Sequence, residues 1–439
     1  MSGMSGFRTV RGMRDFLPEE ASLLRFVEDR ARKVADLYGY KEIITPIVEP
    51  YDLLSAKAGE EVKSRMFIFK DLGGRDVALR PEFTASVARL VATTLKNEPK
   101  PLRLFCVGSA YRYDEPQKGR YREFWQSNYE LMGSNRPEAD AEILMLTNTL
   151  LQQNGLRRVA FKIGHIGVLK GILEHEKVEE RIQNAVMQLM DKKQYDDAIG
   201  LLKNSGVSEN CTSIIQELVK LRGANVLEIV KKIERLVKNY EKSIEAAKNL
   251  REILRLISGS ECRIDVTLDA GFARGLEYYT GIIFEMYVTD LDIALGGGGR
   301  YDRLIELFGG EPTPAIGVAH GLDRIMLAMK MQQTRPQTQR RKTVMVVAVG
   351  DDVADETSRI AQILRESGIS VELEIMRRKI GKALEVADKK KMDYAIIVGK
   401  KELDEGAVVI RDLVRREQSV VNIGKIVERI TLVEGRDLP

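Results

Sequence analysis

Cysteine and histidine are scarce in this chain of 439 residues, with three of each, and their scarcity removes several classes of protein at once. Cys106, Cys211 and Cys262 are odd in number, far apart and form no CxxC pair, which argues against a disulfide framework and a structural zinc site. Long apolar runs are missing as well. None approaches the roughly 18 residues that a membrane span requires, and the N-terminus has no apolar signal-peptide core. A cytoplasmic location is the expectation. Neither sign of charge dominates, since 69 basic and 65 acidic residues leave only +4. Strongly basic nucleic-acid proteins carry a far larger excess, so an anionic partner is permitted without being demanded.

What is present is enough apolar sequence, 44%, for real cores, and a length that exceeds one core, so two or three domains are expected. Residues 18–38 place Leu23, Leu24, Val27, Ala31, Val34 and Leu37 at helical spacing and stop at Gly39. A strand-like run over 43–48 is interrupted by Pro46, and proline belongs at a sheet edge or a subunit contact. Helix and strand then form either a dimer interface or a helix packed on its own sheet. Residues 65–80 read as a hairpin and 82–95 as a helix. Residues 176–256 are charged helices with apolar positions such as Val178, Ile182, Val186, Ile229 and Ile233, a helical insertion between two halves of a sheet domain. Strands are expected at 263–268 and 282–288, and a helix at 322–329. Residues 331–341, MQQTRPQTQRR, lack apolar periodicity and read as a linker. Beyond it, β-branched runs at 344–349, 371–375, 395–398 and 408–411 alternate with helical stretches at 358–366 and 381–390. This alternation predicts a compact α/β domain with a parallel or mixed sheet.

Polar residues concentrate in a few segments. RLFCVGSAYRYDEPQKGRYREFWQSNYE, residues 103–130, predicts an antiparallel hairpin whose loop tip is flanked by Arg112 and Arg120. Guanidiniums fixed on paired strands suit a polyphosphate, because they are planar, multidentate and charged at any working pH. Phe124 and Trp125 offer flat faces to a purine or to a core; the alternative is an exposed basic hairpin. LRPEFT, residues 79–84, puts Glu82 and Thr84 after an Arg-Pro turn, as an ammonium cradle or as helix caps. RGLEYYTG, residues 274–281, joins Arg274 to two tyrosines, which in a strand would face opposite sides, so that at most one lines a given pocket. GGGGRYD, residues 296–302, suits a backbone that approaches a ligand or another strand closely, or an ordinary turn. IGVAHGLDR, residues 316–324, puts Arg324 on a helix.

In combination and in this order, the segments resemble the class II aminoacyl-tRNA synthetases. The helix with Pro46, the Arg112 hairpin and the Arg324 helix look like the three signature motifs of that family, and RGLEYYTG and GGGGRYD look like the two histidine-binding signatures of the histidyl-tRNA synthetases. The likeness runs from about residue 7 to 327. It resumes in GKALEVADKKKMDYAIIVGKKEL, which is similar to the anticodon-binding domain of the histidine, glycine, threonine and proline enzymes. The resemblance implies an α/β protein: an α+β catalytic domain with an antiparallel sheet flanked by helices (1–169 and 259–330), a helical insertion (170–258), a linker (331–341) and an α/β anticodon-binding domain (342–439). It implies activation of L-histidine by ATP to histidyl-adenylate, transfer to the 3′ end of tRNA(His), Mg²⁺ with the triphosphate, and a homodimer.

Carried over residue by residue, the resemblance makes Arg112 and Arg274 catalytic. Arg112 holds the α-phosphate and the amino-acid carboxylate, and Arg274 lies beside them where other synthetases use a metal. Arg120 and Arg324 grip the β- and γ-phosphates, Phe124 and Arg324 sandwich the adenine, and Asp114 or Glu115 reaches its amino group. Glu82, Thr84 and Gln126 bind the ammonium, with Phe83 touching through its backbone. Glu130 and Tyr279, with Tyr278 close by, surround the imidazole. The chain departs from the family pattern where Tyr111, Arg112, Tyr113 and Asp114 replace Phe-Arg-x-Glu, at 127–129, and at Phe83, a frequent glycine. Two other readings stand beside this one. One is a non-catalytic, histidyl-synthetase-like regulator of ATP phosphoribosyltransferase, which resembles the family truncated after the third motif; the other is a nucleic-acid-binding scaffold.

Overall fold

Amphipathic spacing at 18–38 becomes the helix Pro18–Leu37, which buries Leu24, Val27, Ala31 and Val34 along one face. Leu24, Val27 and Val34 each contribute about 1.5–3 kcal/mol when fully withdrawn from water. The computed structural model describes residues 7–56, 58–274, 277–289, 291–334 and 342–431, in two compact units, Met1–Pro336 and Gln337–Pro439. Strands of the first unit are β1 (Lys41–Glu42), β2 (Val48–Pro50), β3 (Ile68–Lys70), β4 (Asp76–Leu79), β5 (Leu102–Tyr111), β6 (Glu123–Met132), β7 (Val159–His165), β8 (Arg222–Gly223), β9 (Asp265–Asp269), β10 (Ile282–Val288), β11 (Leu291–Arg300) and β12 (Ala315–Gly321).

Nine of these strands form one sheet in the order β1-β5-β6-β12-β11-β10-β7-β9-β8, antiparallel except between β1 and β5 and between β7 and β9. The expected Arg112 hairpin is β5 and β6, and β2, β4 and β3 make a small separate sheet. Tyr129 of β6 donates its hydroxyl to the Ala31 carbonyl at 2.7 Å, fastening the first helix to one face. The glycine run is a central strand, not a turn: Gly296 to Gly299 pair with β10 on one side and β12 on the other. A Cβ on Gly298 would stand 2.1 Å from the Gly317 carbonyl oxygen, and one on Gly296 2.2 Å from that of Ala319. Close backbone approach therefore requires glycine here.

Several expectations are corrected. Residues 43–47 are not a strand. Pro46 has no N–H to pair, and the Arg80 guanidinium takes the carbonyls of Thr45 (2.8 Å) and Pro46 (3.3 Å) that a neighbouring strand would have used. The helix expected from residue 82 begins at Thr84 and has no side-chain cap, so neither Glu82 nor Thr84 is spent as one. Helices cover the insertion as foreseen, but the expected boundaries fall inside helices Ile166–His175 and Glu241–Gly259. The insertion also shares a single hydrophobic core with the sheet. Helix Leu322–Met331 runs into the expected linker, of which 335–341 lie outside the described residues.

In the second unit, β13 (Thr343–Val349), β14 (Ser370–Leu373), β15 (Tyr394–Gly399), β16 (Ala407–Asp412) and β17 (Glu417–Asn422) form a mixed sheet in the order β14-β13-β15-β16-β17. Helices Ala354–Glu366 and Ile380–Lys389 complete the expected α/β unit, whose core includes Val344, Ile360, Leu364, Ile396 and Ile410.

Candidate active site

Strand β6 alternates its side chains so that Phe124, Gln126, Asn128 and Glu130 share one face. That face, the start of helix Thr84–Thr93, the β5–β6 loop, the turn at 277–278, the glycine strand β11 and the first turn of helix Leu322–Met331 enclose one cavity. It spans about 920 Å³, part of it open to solvent. Of the sequence-predicted site residues, Glu82, Thr84, Arg112, Asp114, Arg120, Phe124, Gln126, Arg274, Tyr278, Tyr279 and Arg324 all line it. Glu130 and Phe83 do not. Phe83 is buried with the Arg80 guanidinium 4.0 Å from its ring centroid.

One end of the cavity is crowded with cations. Arg112 donates from Nε to the Pro81 carbonyl (3.0 Å), and Arg324 donates to the carbonyls of Ala294 (2.7 Å) and Gly119 (3.2 Å). Burial, with Arg120 and Arg112 nearby, lowers the pKa of Arg324 to about 10. Like charges held together in this way favour a polyanion. Phe124 lies here, 5.4 Å from the Arg112 guanidinium, while Trp125 turns to the other face and packs edge-on against Phe16 at 5.1 Å. Asp114 accepts from Arg65 at 3.1 Å and lines the cavity, whereas Glu115 is exposed and pairs with Arg11.

The other end is made of carboxyls and hydroxyls. Tyr278 donates to Glu82 at 3.2 Å, and burial raises the Glu82 pKa against the pull of Arg112, Tyr278 and Arg274. Both tyrosines line the cavity, contrary to the expectation of one. Residues 277–278 form a turn, not a strand, which leaves the rings on one side, 4.9 Å apart. Glu130, 1% exposed, lies behind this wall; it accepts from Thr84 Oγ1 at 2.8 Å and from the Tyr301 hydroxyl. Burial and the neighbouring Glu82 push its pKa up to about 7. Gln126 Oε1 is buried with no hydrogen-bond partner, an acceptor suited to an ammonium. Arg274 lies between the two ends, its Nη1 3.2 Å from the Phe284 carbonyl and its Nε 3.9 Å from Glu285. A Cβ on Gly297 would fall 1.8 Å from that Nη1, and one on Gly317 1.7 Å from Glu130 Oε2. These glycines clear room for the two charged side chains.

A family model described as histidyl-tRNA synthetase matches residues 12–325, which takes in every residue lining the cavity. This chain belongs to the histidyl-tRNA synthetase family. A second model, the anticodon binding domain, matches residues 343–431. The histidine–tRNA ligase of Methanocaldococcus jannaschii is 42% identical over 96% of this chain and 98% of its own length. That of Pyrococcus furiosus is 41% identical over 95% and 97%. Among solved structures, apo histidyl-tRNA synthetase of S. aureus shares 25% identity at a TM-score of 0.74, covering 97% of this chain and all of that one. A Bacillus halodurans protein described as an ATP phosphoribosyltransferase regulatory subunit/histidyl-tRNA synthetase shares 26% at 0.75, covering 91% and 99%.

The sequence reading passed over four polar lining side chains of this family member: Tyr301, Glu285, Tyr121 and Asp323. Tyr301 sits inside GGGGRYD and was legible there. Glu285 carried a signal too, as the lone charge in the otherwise apolar strand IIFEMYV. Tyr121 stacks with Arg14, whose guanidinium is 3.7 Å from its ring and also pairs with Asp323. That contact joins distant parts of the chain and leaves no local mark.

Proposed function

We propose that this chain is a histidine–tRNA ligase: it joins L-histidine to ATP as histidyl-adenylate, releases pyrophosphate, and passes the histidyl group to the 3′ end of tRNA(His). The observation that carries this reading is a single cavity with an arginine cluster at one end, paired carboxyl and phenol groups at the other, and Arg274 between them. Glu82, Thr84 and Gln126 bind the ammonium. Tyr278, Tyr279 and Tyr301 enclose the imidazole, and Glu130 supports its recognition from behind Tyr301. Arg112, Arg120 and Arg324 receive the phosphates, Phe124 stacks the adenine with Arg324, and Asp114 accepts from its amino group.

The chemistry fits these groups. The histidine carboxylate attacks the α-phosphorus and the bond to pyrophosphate breaks; a carboxylate is already a competent nucleophile, so no base is required. Catalysis is then positioning and neutralisation of charge that develops in the transition state, which is the office of Arg112 and Arg274. Mg²⁺ arrives with the triphosphate. Among the lining carboxylates, Glu82, Asp114 and Asp323 accept from Tyr278, Arg65 and Arg14. Residues 342–439 read the tRNA, and 170–258 act as the insertion. The protein works as a cytoplasmic homodimer, a reading supported by the exposed Ile44, Ile47 and Val48 around Pro46.

Histidine-dependent exchange of pyrophosphate into ATP tests the proposal; exchange at background level would remove it and favour the regulator. Removal of residues 342–439 is expected to impair tRNA charging more than exchange.

A further inference from the structure

The turn that carries Tyr278 and Tyr279 is tied from behind by side chains that line no part of the cavity. Thr280 N donates to the Arg300 carbonyl at 2.8 Å. Thr280 Oγ1 lies 3.1 Å from Asp302 Oδ2 and accepts from Asp302 N at 3.1 Å. Asp302 Oδ1 in turn accepts from Arg300 Nη1 (3.0 Å) and Ala315 N (3.2 Å). Arg300, 6% exposed, donates from Nε to Asp140 Oδ1 at 2.9 Å and from Nη1 to the Ser134 carbonyl at 2.9 Å. Lys170 Nζ holds the Tyr279 carbonyl at 3.0 Å. Tyr301 stands between Arg300 and Asp302 in the chain, its ring 5.7 Å from that of Tyr278. The network therefore sets two walls of one pocket, the tyrosine turn and Tyr301, against each other.

We propose that Thr280, Asp302 and Arg300 are positioning residues that hold the Tyr278–Tyr279 turn in register with Tyr301 and so set the affinity for histidine without touching it. This rests on the ligase reading. Their place at one end of the cavity confines the effect: the arginine cluster is built on the β5–β6 loop and on helix Leu322–Met331, neither of which carries a member of the network.

Arg300 is a poor probe, because its loss strands a buried Asp140, whose pKa burial already pushes up to about 6. Thr280→Val keeps the shape and removes the hydroxyl. In pyrophosphate exchange it is expected to raise KM for histidine about five- to tenfold, the order of one or two lost hydrogen bonds, with KM for ATP unchanged and the melting temperature lowered by no more than a few degrees. Thr280→Ser is expected to restore the wild-type value. A wild-type histidine KM in Thr280→Val, an equal rise in both KM values, or failure of the serine variant to restore would overturn the positioning role alone. Absence of exchange in the wild-type chain would instead overturn the ligase reading, and this inference with it.

Discussion

At one end of the cavity Arg112, Arg120 and Arg324 are brought together, and Arg112 and Arg324 are anchored to backbone carbonyls. At the other end, Glu82 and Glu130 are met by the hydroxyls of Tyr278, Thr84 and Tyr301. The first end gathers like charges, close enough that Arg120 and Arg112 help lower the Arg324 pKa. The second pairs its two carboxyls with hydroxyls and leaves Gln126 Oε1 as a buried acceptor without a partner. On the proposed reading the charged end gives nucleotide affinity and the hydroxyl-lined end gives discrimination, because a substrate that breaks the pairing there leaves buried groups unpartnered.

The sharpest way to break this contrast is at its midpoint. Arg274→His is expected to cut exchange roughly 10²–10³-fold, the scale of removing one group that stabilises developing charge, while circular dichroism stays native. Near-wild-type activity would take Arg274 out of catalysis. At the hydroxyl-lined end, Glu130→Gln, assayed above pH 7 where the wild-type carboxylate is charged, should raise KM for histidine roughly 10- to 100-fold, as expected when a hydrogen-bonded charged group is replaced, with KM for ATP unmoved. Equal changes in both would erase the distinction between the ends.

The same variant sharpens the comparison through pH. The ordinary Glu value is 4.5, and in the fold Glu130 is pushed up to about 7, so between these values the native chain holds a proton that the unfolded chain has lost. Its contribution to stability is full below pH 4.5 and is lost as pH rises through 7. His165 and His320, whose burial lowers their pKa to about 4 and about 3 from 6.5, slope the other way below pH 6.5. The difference between variant and wild type isolates Glu130. Urea unfolding should show Glu130→Gln gaining ~1–3 kcal/mol on wild type from pH 5 to pH 8, and a flat difference would refute the buried acid. The smallest effect lies at the charged end: Arg324→Met is expected to raise KM for ATP about tenfold, near one charge-assisted bond, with an equal or higher melting temperature. A lower one would mean that Arg324 supports the fold.

Legibility followed the range of the interactions. Helix Pro18–Leu37, the β5–β6 hairpin, β10 and the alternating second unit follow from local periodicity and turn residues. Helix Pro137–Gln153 and strand β7 were not foreseen; the helix buries Asp140, Thr147 and Asn148 beside Ile143, Leu144 and Leu146, and these polar residues on the inner face blur its apolar period. Strand β17, EQSVVN, was missed because it is polar and mostly exposed. The glycine strand had no side chains from which to read a period.

Residue order alone settles which groups are available: arginines on a hairpin and a helix, a carboxyl and a hydroxyl after Arg-Pro, paired tyrosines, and glycines where backbones close. These are matters of local chemistry and spacing. Only the assembled sheet decides which of them meet, and on which side. It turns both tyrosines inward through a turn, moves Trp125 away from the cavity, and sets Glu130 behind Tyr301. Glu130 and Tyr301 are 171 residues apart, and no short stretch of chain can encode a contact made across three neighbouring strands.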